Sequence, residues 1–406
     1  MAVAQGYGKT VTSGSVFAFD TGDTRNSFRG RPTVNILANA AINEYNNVPG
    51  NVAANIVATS ETYRGATVYK QTVLPYDSTG VSYLTNGNNP GIGAVTSGGG
   101  GLANQYSGHS IFFKPTGPMH STPIYLSYSN IPGWQCYDCP PEDMGDGWFR
   151  AKVLWYDTVT RNDGKYWAIN PAGAAINVPI TIYWAGPFRE DLNSTTISQF
   201  INGTRSATQG LLPLVGNSSL DLTNVSFDSN AQIVFDATND RIVPSPASDF
   251  GITNQFTIEV LCRPTSEVNG MFNFLGPNGS DRGIMAHWPW SSDYGYFDLT
   301  NTSGGFFRWY KAGAGILNVK ALYQFRLDTS GNVTVRQNGQ IMVPTGTDVF
   351  TGNVSLGTST SIGAFTTSGG TAWGGDMYVF KVYNRALTEG EMRQNYLHYK
   401  TRFNLS

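Results

Sequence analysis

Charge is what this sequence has least of. Only 13% of its 406 residues are Asp, Glu, Lys or Arg, and 26 basic against 28 acidic residues leave a formal net charge of −2. Nucleic-acid binding draws on a basic excess that releases counterions, so that partner is excluded, and a polybasic membrane surface is absent for the same reason. No run of eighteen apolar residues is available to span a bilayer. Three cysteines cannot build a disulfide framework. Four histidines leave little for a Ser-His-Asp arrangement, and no Gly-x-Ser-x-Gly elbow occurs. The opening ten residues, Met1 to Thr10, have no charged segment followed by an apolar one; they do not read as a secretory signal, and synthesis in a cytosol is expected. Gly6-Tyr7-Gly8-Lys9-Thr10 also fails as a phosphate loop, because the required first glycine is Val3.

Turn formers and rings are plentiful instead. Gly 47 and Pro 20 are dispersed along the chain, and Trp 9, Tyr 21 and Phe 22 are ample for substantial cores. A charge-poor, Gly/Thr/Ser/Asn-rich chain made in a cytosol has the character of an adhesive carried out of a lysed cell in an assembled particle. Asn-x-Ser/Thr triplets such as those at Asn193, Asn217 and Asn332 then read as by-products of composition.

Strand signals dominate. Ile111–Phe113, Ile124–Tyr128, Ala151–Tyr156 and Ile180–Trp184 are short, β-branched or aromatic, and bounded by Gly, Pro, Asn or Asp. Phe256, Ile258, Val260 and Cys262 share one strand face, and Tyr323, Phe325 and Leu327 share another. Asn338-Gly339 closes a hairpin between Val333–Val335 and Ile341–Val343. One helix is predicted near the C-terminus: Thr388 and Glu391 form a capping box, Leu387 and Met392 a hydrophobic staple, and Met392, Tyr396 and Tyr399 an apolar stripe. The expected fold is all-β, with two consecutive jelly-roll or β-sandwich domains, an N-terminal extended arm and a short C-terminal helix. Boundaries fall at 1–34 for an arm ordered by an outside partner, 35–201 for the first domain, 202–210 for a linker and 211–406 for the second domain. Gly87–Gly101 reads as a loop.

From about Ser226 to Phe403 the chain resembles the concanavalin A-like, laminin-G-type lectin family. The stretches that carry this are Phe235-Asp236-Ala237-Thr238-Asn239-Asp240, Phe256–Glu259, Val333–Gly339 and Lys381-Val382-Tyr383-Asn384-Arg385-Ala386-Leu387-Thr388. The resemblance implies a two-sheet jelly roll, often carbohydrate-binding and sometimes calcium-dependent. Family members often read Gly-x-Ile-Asp-Glu before the last strand; Gly375-Asp376-Met377-Tyr378-Val379 lacks the acidic pair. Gly147–Arg150, Ala185–Phe188, Phe200–Ser206 and Phe17–Asn35 are similar to tailed-phage virion proteins that place a jelly roll before such a domain. That likeness implies a non-enzymatic virion protein (fibre, appendage or capsid decoration), attached to other virion proteins through the arm, contacting host-surface glycans and forming a homo-oligomer, for which a trimer is the guess.

Candidate sites are few. Cys136 and Cys139 have metal-like spacing, but zinc needs two further ligands such as His109 or His120; two reduced thiols in a turn is the plainer reading. Glu142, Asp143 and Asp146 form an acidic turn that could hold calcium, or could be a solvated loop. Asp236 with Asp240 is a further acidic pair, of which Asp236 is expected at a β-turn, capping backbone donors without any metal. The glucanases of the lectin fold carry Glu-x-Asp-x-Glu, whereas Glu259 stands alone, so catalysis is not expected; a surface-polysaccharide depolymerase with distant carboxylates is the rival, and pure decoration a third reading. Sugar binding needs ring faces beside polar groups. His287-Trp288-Pro289-Trp290 with Asp293-Tyr294-Gly295-Tyr296 is the best cluster, giving Trp288, Trp290, Asp293, Tyr294 and Tyr296 as candidate glycan contacts with Trp373 as an outlier; the competing role is packing in a core or interface.

Overall fold

The computed structural model describes residues 9–35, 43–44, 56–73, 93–96, 104–117, 119–128, 136–138, 141–157, 165–171, 180–192, 197–198, 200–216, 218–228, 232–244, 246–267, 270–276, 282–367 and 371–405. The fold is all-β, and by its contacts the chain divides into two units. One comprises 33–205 with 229–231; the other comprises 1–32, 206–228 and 232–406.

The unit that contains the C-terminus is built from β1 (Ser15–Asp20), β2 (Ile233–Asp236), β3 (Phe256–Pro264), β4 (Gly270–Leu275), β5 (Arg282–Trp290), β6 (Tyr294–Thr300), β7 (Phe306–Lys311), β8 (Ala321–Leu327), β9 (Val333–Gln337) and β10 (Gly374–Tyr383), followed by a helix over Glu389–Phe403. One antiparallel sheet runs Ser226–Phe227, β2, β10, β3, β8, β9, Gln340–Ile341; the other runs Gly346–Thr347, β7, β6, β5, β4, Thr360–Ile362. The alternation read in the sequence places the core between them. Phe256, Ile258, Val260 and Cys262 of β3 are fully buried. Rings from the two sheets meet across the gap: Phe272 stands edge-on 5.7 Å from Phe325 and 5.5 Å from Phe380, and Phe297 lies tilted 4.9 Å from Phe325. Each buried phenylalanine contributes about 2–3 kcal/mol of hydrophobic stabilisation. Asn338 and Gly339 both take positive φ, as the expected hairpin turn requires.

The N-terminal segment departs from expectation. It is extended, but its partner is the chain's own last strand. β1 pairs with β10 from Ser15↔Tyr383 to Asp20↔Val379, filling the part of that edge which β2, paired at 374–376, leaves open. Phe17 and Phe19 are fully buried, with Phe19 stacked 6.1 Å from Phe380. Residues 9–32 therefore do not await an outside protein to become ordered.

The expected linker at 202–210 is structured as well. Thr204–Arg205 pairs antiparallel with Thr33–Val34, and Ser206 caps a short helix over Ala207–Gly210. One unit takes 1–32 in addition to 206–228 and 232–406, while the other takes 33–205, against the expected 35–201. That unit holds a six-stranded antiparallel sheet, in the order Glu142–Gly145, Trp148–Asp157, Gln105–Pro115, Ile180–Leu192, Ala66–Val73, Ile56–Tyr63. It also holds a five-stranded sheet of Asn43–Glu44, Gly93–Thr96, Lys165–Pro171, Met119–Tyr128 and Cys136–Asp138. Gly93–Thr96 is thus a strand inside the stretch read as a loop. Val68, Phe112, Trp148 and Ala185 form a core cluster there.

The C-terminal helix matches its prediction. Thr388 Oγ1 accepts from the Glu391 backbone N–H at 3.3 Å, and the Thr388 N–H donates to Glu391 Oε2 at 2.8 Å. Leu387 and Met392 are buried together with Tyr383 and Val11.

Candidate functional site

The second sheet has an outward face that burial alone does not explain. Along β6, Phe297 and Leu299 enter the core, so Tyr294, Tyr296 and Asp298 point away from it. Along β7, Trp309 enters the core, leaving Phe306, Arg308 and Tyr310 outside. Ile284, Ala286 and Trp288 of β5 enter the core, leaving His287 outside. Strand register then aligns His287 with Tyr296 and Tyr296 with Tyr310, while Asp298 lies beside Arg308.

Asp298 organises this surface. Its carboxylate is fully buried, although it projects from the outer face, because two guanidinium groups cover it. Arg308 donates from Nε to Oδ1 and from Nη2 to Oδ2, both at 2.7 Å, and Arg282 Nη1 donates to Oδ2 at 3.0 Å. The forked pairing raises the Arg308 pKa and holds the guanidinium in one orientation. Its Cζ sits 4.5 Å from the Tyr296 ring centre and 5.2 Å from that of Phe306. Arg282 lies 5.9 Å from Phe306 and 6.0 Å from Phe365. The series of rings continues through Tyr294, 5.7 Å from Tyr296, and Tyr310, 6.0 Å from it. His287 stands between Phe365 at 6.3 Å and Trp290 at 4.5 Å. Phe306 is 49% exposed, while Trp290, Tyr294, Tyr296 and Tyr310 are half-buried. The result is a series of planar groups in contact, open to solvent along its outer side.

Of the six glycan candidates, Trp290, Tyr294 and Tyr296 lie on this surface. Trp288 and Trp373 do not: both are fully buried, the Trp288 ring packs on Tyr323 and Phe325, and Trp373 Nε1 donates to the Trp288 carbonyl at 2.7 Å. Packing is their role, and they are withdrawn as contacts. Asp293 is spent on the backbone. Its carboxylate accepts from the N–H groups of Gly315, Ile316 and Leu317 at 2.5, 3.0 and 3.3 Å, while Glu267 accepts from the N–H groups of Ser292 and Asp293. These bonds fix the β5–β6 turn, in which Ser292 and Asp293 both take positive φ.

The acidic turn is a hairpin. Glu142–Gly145 pairs with the next strand, Asp146 and Gly147 take the two positive-φ positions, and Asp143 Oδ1 accepts from the Gly145 N–H at 2.8 Å. Glu142 pairs with Lys152 at 2.8 Å, and that hydrogen bond lowers its pKa. Asp143 thus serves the turn and Glu142 the neighbouring strand; among the described residues no group of three metal-ligating side chains occurs. Cys136 lies in a strand and Cys139 lies outside the described residues. Asp236 caps the Thr238 backbone N–H as expected, and Asp240 accepts from the backbone N–H of Asp236. Glu259 is fully buried and accepts from Asn395 and Gln324, and burial raises its pKa.

Arg282, Asp298, Phe306, Arg308, Tyr310 and Phe365 were not found from sequence. For Phe306, Arg308 and Tyr310 the signal was the alternation in Phe306-Phe307-Arg308-Trp309-Tyr310, which places one aromatic set inside and another outside.

No protein-family model matches the chain, and no curated protein matches it. Solved structures similar to parts of it include the binding domain of botulinum neurotoxin serotype D (10% identity, 49% of this chain and 50% of that one, TM-score 0.38). The binding domain of serotype G is similar at 12% identity, over 48% and 49%, with a TM-score of 0.39. The binding domain of Paraclostridial Mosquitocidal Protein 1 is similar at 15% identity, over 47% and 49%, with a TM-score of 0.38. The chain thus overlaps about half the length of each, too loosely to bear on what it binds. The lectin and phage resemblance rests on sequence motifs.

Proposed function

We propose that this chain is a non-enzymatic binding protein whose outer β5–β7 face contacts host-surface glycans, and that it works on the exterior of a phage particle. The observation that carries the reading is the set of half-exposed rings held around Asp298 by two arginines. A sugar packs its C–H face on a ring and leaves its hydroxyls to polar neighbours, and a pre-ordered surface loses little side-chain entropy on binding. The particle context draws on the order of the sequence motifs. Arraying of several copies in a homo-oligomer belongs to the same proposal, because weak single sites gain avidity when arrayed.

Purified protein probed on a glycan array tests the reading. The double variant Tyr296→Ala/Tyr310→Ala is expected to lose about tenfold or more in affinity, since each ring contact contributes about 0.5–1.5 kcal/mol, with its thermal midpoint near that of the parent. Unchanged binding would remove this face from the proposal. Release of reducing ends from host polysaccharide would refute the non-enzymatic part, and immunogold labelling absent from particles would refute the particle context.

A further inference from the structure

Resting on the glycan reading, we infer that the outer β5–β7 face selects neutral sugars over anionic ones, with Tyr310 laid over Gly346 as its platform. The first observation is a balance of charge. The cations within strands β5–β7 are Arg282, Arg308 and Lys311; the anions are Asp298 on β6, Asp348 against β7, and Asp293 and Glu267 at the β5–β6 turn. Both guanidinium groups are held by Asp298. Asp348 Oδ2 sits against the same strand, accepting from the Arg308 backbone N–H at 2.9 Å. Lys311 Nζ donates to the Val343 carbonyl at 3.2 Å. A uronate or sialate arriving here finds both guanidinium groups already engaged by Asp298, with Asp348 beside them and the Asp293 and Glu267 carboxylates at the adjoining turn. A neutral sugar needs only ring faces and hydroxyl partners. The phenols of Tyr294, Tyr296 and Tyr310 and the exposed Ser291 and Ser292 supply them.

The second observation is steric. A Cβ at Gly346 would lie 2.5 Å from Tyr310 Cε1 and 3.1 Å from its Cζ, so the ring leans over a bare backbone at the sheet edge. Gly346 is not among the positive-φ glycines, so the ring, and not the backbone, makes glycine necessary there. Gly346 is thus a positioning residue for Tyr310.

The test is titration of the full chain with neutral gluco-, manno- and galacto-hexaoses against oligogalacturonate and sialyllactose, at low and high salt. The expected result is binding of a neutral oligosaccharide with an affinity that moves less than about twofold between 50 and 500 mM salt, because an uncharged ligand makes no ion pair for salt to screen. Gly346→Ala is expected to weaken binding about tenfold alone and to add nothing in a Tyr310→Ala background, as coupled neighbours do. Preference for the anionic probes, a steep salt dependence, or additive effects of the two variants would overturn the inference. Silence towards every probe would instead overturn the glycan reading on which it rests. A dimer in light scattering that Tyr310→Ala dissociates would assign the face to a second copy and overturn both.

Discussion

At the scale of single residues, paired charges do most of their work by fixing geometry. Glu391 shows it at the helix start. Arg385 donates to it twice, at 2.9 and 2.6 Å, and Thr388 twice more, from its backbone N–H at 2.8 Å and its hydroxyl at 3.0 Å, which together lower the Glu391 carboxyl from its ordinary 4.5 to about 2. A lowered folded-state pKa means stability that is present above the ordinary value and lost as pH falls towards the folded one. Thermal midpoints of the parent and Glu391→Gln should therefore differ at pH 7, with the variant lower, and converge as pH drops from about 4.5 to about 2. A constant gap would deny the linkage. This cap was legible from Thr388 and Glu391 alone, because a capping box is a local signal. The Asp298 cluster was not, since its members come from three strands and the 365 region. Nor could local spacing separate Trp288 from Trp290: the register shift between His287 and Trp290 decides which ring is buried and which faces out.

Among elements, β1 is the instructive one. Its sequence, Ser15-Val16-Phe17-Ala18-Phe19-Asp20, alternates as a strand should, yet nothing near it says what it pairs with. The partner is β10, and Arg402 of the C-terminal helix clamps Asp20. Phe19→Ala should cost about 3–5 kcal/mol in denaturant unfolding, the usual range for a fully buried ring. Val57→Ala, at a side chain 58% exposed in the other unit, should stay within about 0.5 kcal/mol. Equal effects would contradict the placement of β1. Strands β3, β8 and β9 were readable because each alternates over several residues beside clear turn signals, whereas a lone edge strand carries no such context.

For the molecule as a whole, 33–205 is an insertion between two pieces of a sandwich. Thr33–Val34 and Thr204–Arg205 pair antiparallel at its base, so the chain leaves and returns through adjacent strands. Replacing 35–203 with Asn-Gly would join Val34 to Thr204 by a two-residue hairpin of a favoured type. The shortened chain is expected to unfold in one cooperative thermal transition with a strand-type circular dichroism spectrum; a molten, non-cooperative product would show that the sandwich depends on the inserted unit. That the chain makes β-sandwich bodies was legible from strand spacing. Their nesting was not, because sequence order suggests succession and only the pairing of distant segments reveals enclosure.

The β1–β10 pairing also sets a timetable for biosynthesis. Val379 leaves the ribosome about 360 residues after Asp20, which at typical elongation rates is roughly 20–70 s. Throughout that interval Phe17 and Phe19 have been made but the edge that shelters them has not. Nascent chains of this protein should therefore depend on holding chaperones until Val379–Tyr383 has emerged, and slow-codon stalling shortly before that segment should provoke aggregation more than stalling after it.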